Sequence, residues 1–302
     1  MPLVQVGGLP EKGRQNARHR LFVEGSGAGS MDVEALKILL PMLDIRPMGP
    51  AFHLQSVAAA LHPYHPDDYF LIDRDHHDDQ TVEKSWSNFP DATQSNLLIW
   101  RKREIENYFL DPPFLQLSQY IKDSYKGPMG GAELERQIAA SAEARLYLDV
   151  ANKVIVTIRE RQKGRWIQTF KNPSEFPNAR TARQKLLARP EFQERVEEIG
   201  RTLRDHEIGD LFDQYLQEMS GSQRSLTFAA GTWRDHMSGK EILRQIINNC
   251  FEVKNAQGKL LQGDKKYIEV IKDLMRQGQR APDKLPADFQ ELRRLITTRI
   301  GL

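Results

Sequence analysis

Apolar positions gather into short runs in the first third of the chain and into helical spacings in the rest. Leu21-Phe22-Val23 is a brief apolar run that stops at Glu24-Gly25, and a Gly-rich stretch, Ser26-Gly27-Ala28-Gly29, follows it. Ser30 is placed to cap a helix, with Asp32 and Glu34 in a first turn where carboxylates favour the helix dipole. Val33, Leu36 and Leu40 share one face of that helix, Leu43 continues the spacing, and Pro41 should end or kink it near Leu40. Val57 to Leu61 reads as a second, short helix. Tyr69-Phe70-Leu71-Ile72 predicts a buried strand ending in Asp73-Arg74-Asp75, and Leu97-Leu98-Ile99-Trp100 predicts another. Strand, helix, helix, strand, strand is the layout of a small α/β unit with a mostly parallel sheet, whose ligands bind at the carboxyl ends of the strands.

Beyond Asp111-Pro112-Pro113 the texture changes. Residues 133–161 carry almost no breaker and read as one long helix or two abutting ones. Helical spacing recurs over Ala182–Ala188, Phe192–Arg204, Gly209–Met219, Lys240–Phe251, Lys266–Gln277 and Asp288–Ile300, with Pro, Gly and Asn clustered between. The expected organisation is an N-terminal arm over residues 1–19, an α/β domain over 20–112 and a mainly α-helical region over 113–302.

Composition narrows the class. With 302 residues, 39% of them hydrophobic and 28% charged, the chain can bury a sizeable core and is neither collagen-like nor wholly disordered. Its single cysteine, Cys250, excludes a disulfide framework within the chain and any all-cysteine metal site. No apolar run is long enough to span a bilayer and no signal-peptide pattern is present, so a cytoplasmic location without membrane attachment is expected. The formal net charge of +2 hides an asymmetry. Residues 1–112 hold 11 Lys and Arg against 16 Asp and Glu, and the remainder holds 32 against 25. Acids in the first part suit a cation, and a basic second part suits a polyanion, although solvated faces of amphipathic helices carry the same charges.

Glu24, Asp73 and Asp75 each follow directly on a strand-like run, so neighbouring strands would bring them together. Such a cluster is costly without a cation, and oxygen-only ligands suit Mg²⁺ or Mn²⁺. Taken singly, each acid reads as a strand-end residue facing water. The run His76-His77-Asp78-Asp79 lacks the spacing of a zinc site and reads as a loop. The Gly-rich stretch lacks a P-loop lysine, so any nucleotide hydrolysis would belong to a separate subunit. A haloacid-dehalogenase-like reading of Asp73-Arg74-Asp75 is disfavoured by the following His76-His77 and the preceding Glu24. The four Trp, together with Tyr120, Tyr147 and Phe170, read as core rather than as stacking platforms.

Three segments, in order, resemble a known family. Leu21-Phe22-Val23-Glu24-Gly25 and Leu71-Ile72-Asp73-Arg74-Asp75 resemble the two signatures of a TOPRIM domain. Trp100 to Asp111, containing Arg103-Glu104-Ile105-Glu106-Asn107-Tyr108, is similar to a segment of the OLD-like nuclease branch, with Phe109 where that branch has Leu. Ser238-Gly239-Lys240-Glu241-Ile242-Leu243 is similar to a late motif of its stand-alone members, and the TOPRIM effectors of PARIS anti-phage defence systems are the nearest in kind. The resemblance covers residues 20–112 well and, beyond them, only the patch at 238–243. It implies an α/β TOPRIM-like fold with a mostly parallel sheet, and a Mg²⁺- or Mn²⁺-dependent nuclease acting on RNA, such as transfer RNA, or on DNA.

The roles it implies are as follows. Glu24 is a metal ligand or general base, Asp73 and Asp75 hold the ion, and Glu106, with Glu104 beside it, completes the acidic shell from the start of a helix. Lys102 or Arg103 neutralises the scissile phosphate; Lys240, a cation at a helix start where the dipole disfavours it, is a further candidate beside the reading of an ordinary exposed lysine. It further implies an ABC- or SMC-like ATPase partner. Apart from the resemblance, the long amphipathic helices can supply a homodimer surface, and Arg159, Arg161, Lys163 and Arg165 read either as contacts to the substrate backbone or as a solvated helix end. One departure is that Ala28 stands where many relatives carry an acid, for which Asp32 is the available replacement. The alternative implied by the same residues is a catalytically degenerate TOPRIM domain that binds nucleic acid or protein.

Overall fold

In a computed structural model, residues 19–25, 27, 29–75, 77–91, 96–162, 178–223 and 225–302 are described. Four short strands, β1 (Arg20–Val23), β2 (Asp44–Pro47), β3 (Asp68–Ile72) and β4 (Leu97–Ile99), alternate with three helices, α1 (Met31–Leu39), α2 (Ala51–Leu61) and α3 (Asp79–Asn88). The strands form one parallel sheet in the order β2-β1-β3-β4. Val23 lies opposite Leu71 on one side and Pro47 on the other, and Ile72 lies opposite Ile99. All five residues of β3 are buried, as a central parallel strand covered on both faces requires.

Two elements of this unit escape the sequence pattern. β2 has one aliphatic residue, Ile45, in Asp-Ile-Arg-Pro, and forms because β1 offers it a partner. Pro47 is tolerated there because β2 is an edge strand. α3 is mostly polar and buries only Val82 and Trp86, one turn apart; the Asp78 carboxylate caps it by accepting from the Thr81 N–H at 2.7 Å. Ser30 does precede α1, but its hydroxyl makes no capping bond.

After β4 the segment Ile105–Phe109 is a 3₁₀ turn rather than the start of an α-helix, and all five of its residues are buried. The helices that follow are α4 (Pro112–Leu115), α5 (Gly127–Glu143), α6 (Leu146–Gln162), α7 (Ala179–Leu187), α8 (Pro190–Thr202), α9 (Asp205–Ser220), α10 (Trp233–His236), α11 (Gly239–Cys250), α12 (Gly263–Arg280) and α13 (Ala287–Ile300). The long helical stretch is thus two helices, α5 and α6, interrupted at residues 144–145.

The chain divides into two compact units, Met1–Glu143 with Arg234–Leu302, and Ala144–Trp233. This differs from the division expected at residue 112, because the last helices complete the core of the sheet unit. Phe289 of α13 packs on Trp100, Tyr108 and Phe109 with ring centroids at 5.6, 5.1 and 5.9 Å. Arg101 lies 4.0 Å over the Trp86 ring and forms ion pairs with Asp288 at 2.7 Å and Glu291 at 2.8 Å. Tyr108 donates to Asp288 at 2.6 Å. In the second unit α6 packs on α9 around Val150, Val154 and Leu211, and Thr157 pairs with Tyr215 at 2.8 Å. α8 leaves Phe192 and Val196 exposed, as is Leu203 just after it. Trp86, Trp100 and Trp233 are buried as expected; Tyr147 is not core but 65% exposed, and Trp166 and Phe170 lie outside the described residues. Among the described residues no helix is long and apolar enough to cross a membrane.

Candidate metal and phosphate site

The strand order reverses between β1 and β3, so the crevice beyond their carboxyl ends is the switch point where open α/β sheets bind ligands. Glu24 is the first residue after β1 and Asp73 the first after β3. Parallel pairing in register brings them together, and the Asp73 N–H donates to Glu24 Oε1 at 2.9 Å. Gly25 holds the backbone at φ +115°, a conformation that favours glycine, and exchanges two backbone hydrogen bonds with Gly49 at 3.1 and 2.8 Å. The loop after β1 is thereby tied to the loop after β2. Between the two aspartates, Arg74 donates from its side chain to the Arg101 carbonyl at 2.8 Å and from its backbone to the Arg103 carbonyl at 3.1 Å. It binds the loops after β3 and β4 together. Asp75 occupies a turn at φ +44° with its side chain exposed.

The third and fourth contributions come from far apart in the chain. Glu104 caps the 3₁₀ turn, and it also accepts from the Lys240 N–H at 2.8 Å at the start of α11. Asn107 donates to the carbonyls of Arg234 and Met237 at 2.8 and 3.0 Å. Gly239 permits this approach, because a Cβ there would fall 2.4 Å from Asn107 Oδ1 and 2.6 Å from its backbone nitrogen. The Glu104–Asn107 segment and the Ser238–Lys240 segment, read separately in the sequence, therefore form one joint. Glu106 is buried beneath it, not turned to solvent.

These acids share one electrostatic environment. Burial, then the Asp75 and Asp32 charges, lift Glu24 to about 7 against the pull of the Asp73 and Ala51 N–H groups. Burial lifts Glu106 to about 8, with Asp32 and Glu104 adding to it. Asp32 rises to about 6, chiefly by burial, while the Lys240 charge restrains it. Asp73 is held well above the usual carboxylate range by burial and then by Asp32, Glu24, Glu106 and Glu104. Asp32 and Asp73 keep some exposed surface but are densely surrounded by protein atoms, which is what removes water from their charge. Asp32, at the first turn of α1, belongs to the cluster.

The cations expected to meet a phosphate are already engaged. Lys102 pairs with Asp235 at 3.2 Å, and Arg103 stands 3.6 Å from Glu104 and donates to the His236 carbonyl at 3.3 Å. The Lys240 side chain is exposed. His77 pairs with Gln55 at 2.9 Å, and His76 lies outside the described residues. Arg159 and Arg161 are exposed on α6, whereas Lys163 and Arg165 lie outside the described residues.

The donor set is all oxygen, which fits Mg²⁺ or Mn²⁺. Ser30 adds a buried hydroxyl with no hydrogen-bond partner among the described residues, 3.7 Å from where a Gly25 Cβ would stand. Among the described residues no three His, Cys, Asp or Glu side chains are close enough to hold an ion as they stand. The carboxylates share one electrostatic field without forming a closed cage. Comparison with protein-family models, with curated proteins and with solved structures gives no match.

Proposed function

We propose that the chain is a metal-dependent nuclease of the OLD-like TOPRIM kind, hydrolysing phosphodiester bonds in RNA or DNA. The observation that carries this reading is the grouping of Glu24, Asp32, Asp73 and Glu106 about the switch point of a parallel sheet, with pKa values raised chiefly by burial and secondarily by one another's charge. Such a group lacks only a cation to be stable in its ionised form. Glu24, Asp73, Asp75 and Glu106 would hold the ion, with Asp32 beside them. A bound divalent ion supplies charge stabilisation for the attacking and leaving oxygens of the displacement. Glu24 would serve either as a ligand of that ion or, off the ion, as the base that takes the proton of the attacking water, while the leaving oxygen takes a proton from solvent. The exposed Lys240 charge faces the same field and offsets negative charge arriving with the substrate. Lys102 and Arg103 orient the loop through Asp235, Glu104 and His236, and either one meets phosphate only after giving up these partners.

By the same resemblance the protein works as an anti-phage effector under an ABC- or SMC-like ATPase; a homodimer through its amphipathic helices and a cytoplasmic location complete the proposal. The test is cleavage of total RNA, supercoiled DNA and linear DNA in Mg²⁺ and Mn²⁺, with and without the ATPase. Wild type is expected to cut one class, and Glu24→Ala to lose at least 100-fold in rate, the scale on which general acid–base groups act. Equal cleavage by Glu24→Ala would remove this reading. Absence of cleavage under every condition, with nucleic-acid binding retained, would replace it with a binding module built on the same fold.

A further inference from the structure

α12 lies along α1. Lys272 reaches Glu34 at 2.8 Å, and Gln279 donates to the Ile38 carbonyl. Both contacts advance in the same direction along the two helices, so the helices run parallel. Tyr267 precedes Lys272 by about 7.5 Å of helix rise. That sets it level with the first turn of α1, where Ser30 and Asp32 stand.

Tyr267 is 5% exposed, and its hydroxyl has no hydrogen-bond partner among the described residues. Burial, then Glu106, Asp32 and Glu104, push its pKa far up, so the phenol stays protonated beside the carboxylates. The Arg244 guanidinium lies 5.6 Å over the ring. A tyrosine serving only as core filling would spend its hydroxyl on a neighbour, yet this one, within the field of three carboxylates, is unpaired among the described residues. A buried donor left unpaired within the field of these carboxylates is free to bind an oxygen brought in by a ligand. Ser30, at the same end of α1, is a second buried hydroxyl with no hydrogen-bond partner among the described residues.

We propose that Tyr267 is a ligand-binding residue of the acid site, its hydroxyl donating to an oxygen that the carboxylates hold in place through a divalent cation. That oxygen belongs to a water of the hydrated ion or to a phosphate. The identity of the ligand rests on the metal-dependent reading above; the residue is an addition to it.

The test uses the full chain and Tyr267→Phe, which keeps the ring and removes one oxygen. In EDTA the variant is expected to unfold about 2–4 °C higher, because an unpaired buried hydroxyl is gone. Calorimetric titration with Mg²⁺ alone, and with inorganic phosphate in saturating Mg²⁺, is expected to show an affinity loss of about 5–30-fold in one arm. Loss with Mg²⁺ alone assigns the contact to the ion's water, and loss confined to the phosphate arm assigns it to phosphate. Unchanged affinity in both arms overturns the proposal, whatever the melting temperature. If Tyr267→Phe fails to fold, the tyrosine near-ultraviolet difference spectrum of the wild type decides, and no change on adding Mg²⁺ and phosphate overturns it. A wild type that binds either probe but cuts no nucleic acid removes the nuclease reading and leaves the Tyr267 comparison intact. A wild type that binds neither removes both.

Discussion

At the scale of single residues the chain concentrates its unfavourable electrostatics in one place. Glu24, Asp32 and Glu106 have folded-state pKa values of about 7, 6 and 8, all above their ordinary values. A raised pKa means that the folded state binds the proton more tightly than the unfolded one. The stabilisation is therefore complete below about pH 4 and is lost as pH rises through about 6 to 8. In EDTA, the thermal midpoint is expected to rise as pH falls from 8.5 to 5.5, and Mg²⁺ at pH 8 should restore much of the difference. A midpoint that stays unchanged over that range would show that the acids are solvated and independent. Glu106→Gln should flatten the alkaline part of the profile, since it removes the group with the highest of these three values.

At the scale of elements, the site depends on a joint between the 3₁₀ turn after β4 and the start of α11. Lys240 donates its backbone N–H to the Glu104 carboxylate, Asn107 donates to two carbonyls of the 234–237 segment, and Gly239 lets the segments approach. Gly239→Ala places a methyl group against Asn107, including its backbone, which cannot swing away. The expected cost is about 1–3 kcal/mol, as for other overpacked contacts. It should be read as a lower urea midpoint with a parallel loss of metal affinity, since Glu104 sits on the same joint. An unchanged midpoint would mean that the joint opens freely. The sequence marks both segments as noteworthy, but only by resemblance; nothing in the spacing of residues 104 and 240 says that they touch. Glu106 illustrates the same limit. Helical spacing places it away from the core face, whereas the tighter 3₁₀ turn under α11 buries all five residues from Ile105 to Phe109.

At the scale of the whole molecule, the charge asymmetry along the chain takes a different meaning. The sheet unit, Met1–Glu143 with Arg234–Leu302, contains 28 Lys and Arg against 29 Asp and Glu. Ala144–Trp233 contains 15 against 12. Much of the basic excess in the second part of the chain thus belongs to helices that pack on the acidic sheet, with Lys272 on Glu34 as one direct pair. Residues 1–112 expressed alone lack Phe289 against Trp100, Tyr108 and Phe109, and lack Asp288 for Tyr108 and Arg101. That fragment is expected to give a broad, non-cooperative thermal transition by circular dichroism, with exposed apolar surface binding a hydrophobic dye. A sharp transition would show that the α/β segment folds without its C-terminal helices.

The strands β1, β3 and β4, the helix ending before Pro41 and the acids at strand ends were determined locally. Consecutive apolar residues, breakers and strand-terminal carboxylates each leave a mark within a few positions. The tertiary structure alone decided what those acids face. β2 and α3 exist through their neighbours, and Asp32 joins the cluster because α1 starts beside the switch point. Tyr267 and Lys240 arrive on helices more than a hundred residues downstream of the sheet. Local pattern reports how one stretch buries its own apolar side. Convergence of charge from distant stretches depends on strand order and helix packing, and these are fixed only when the whole core closes.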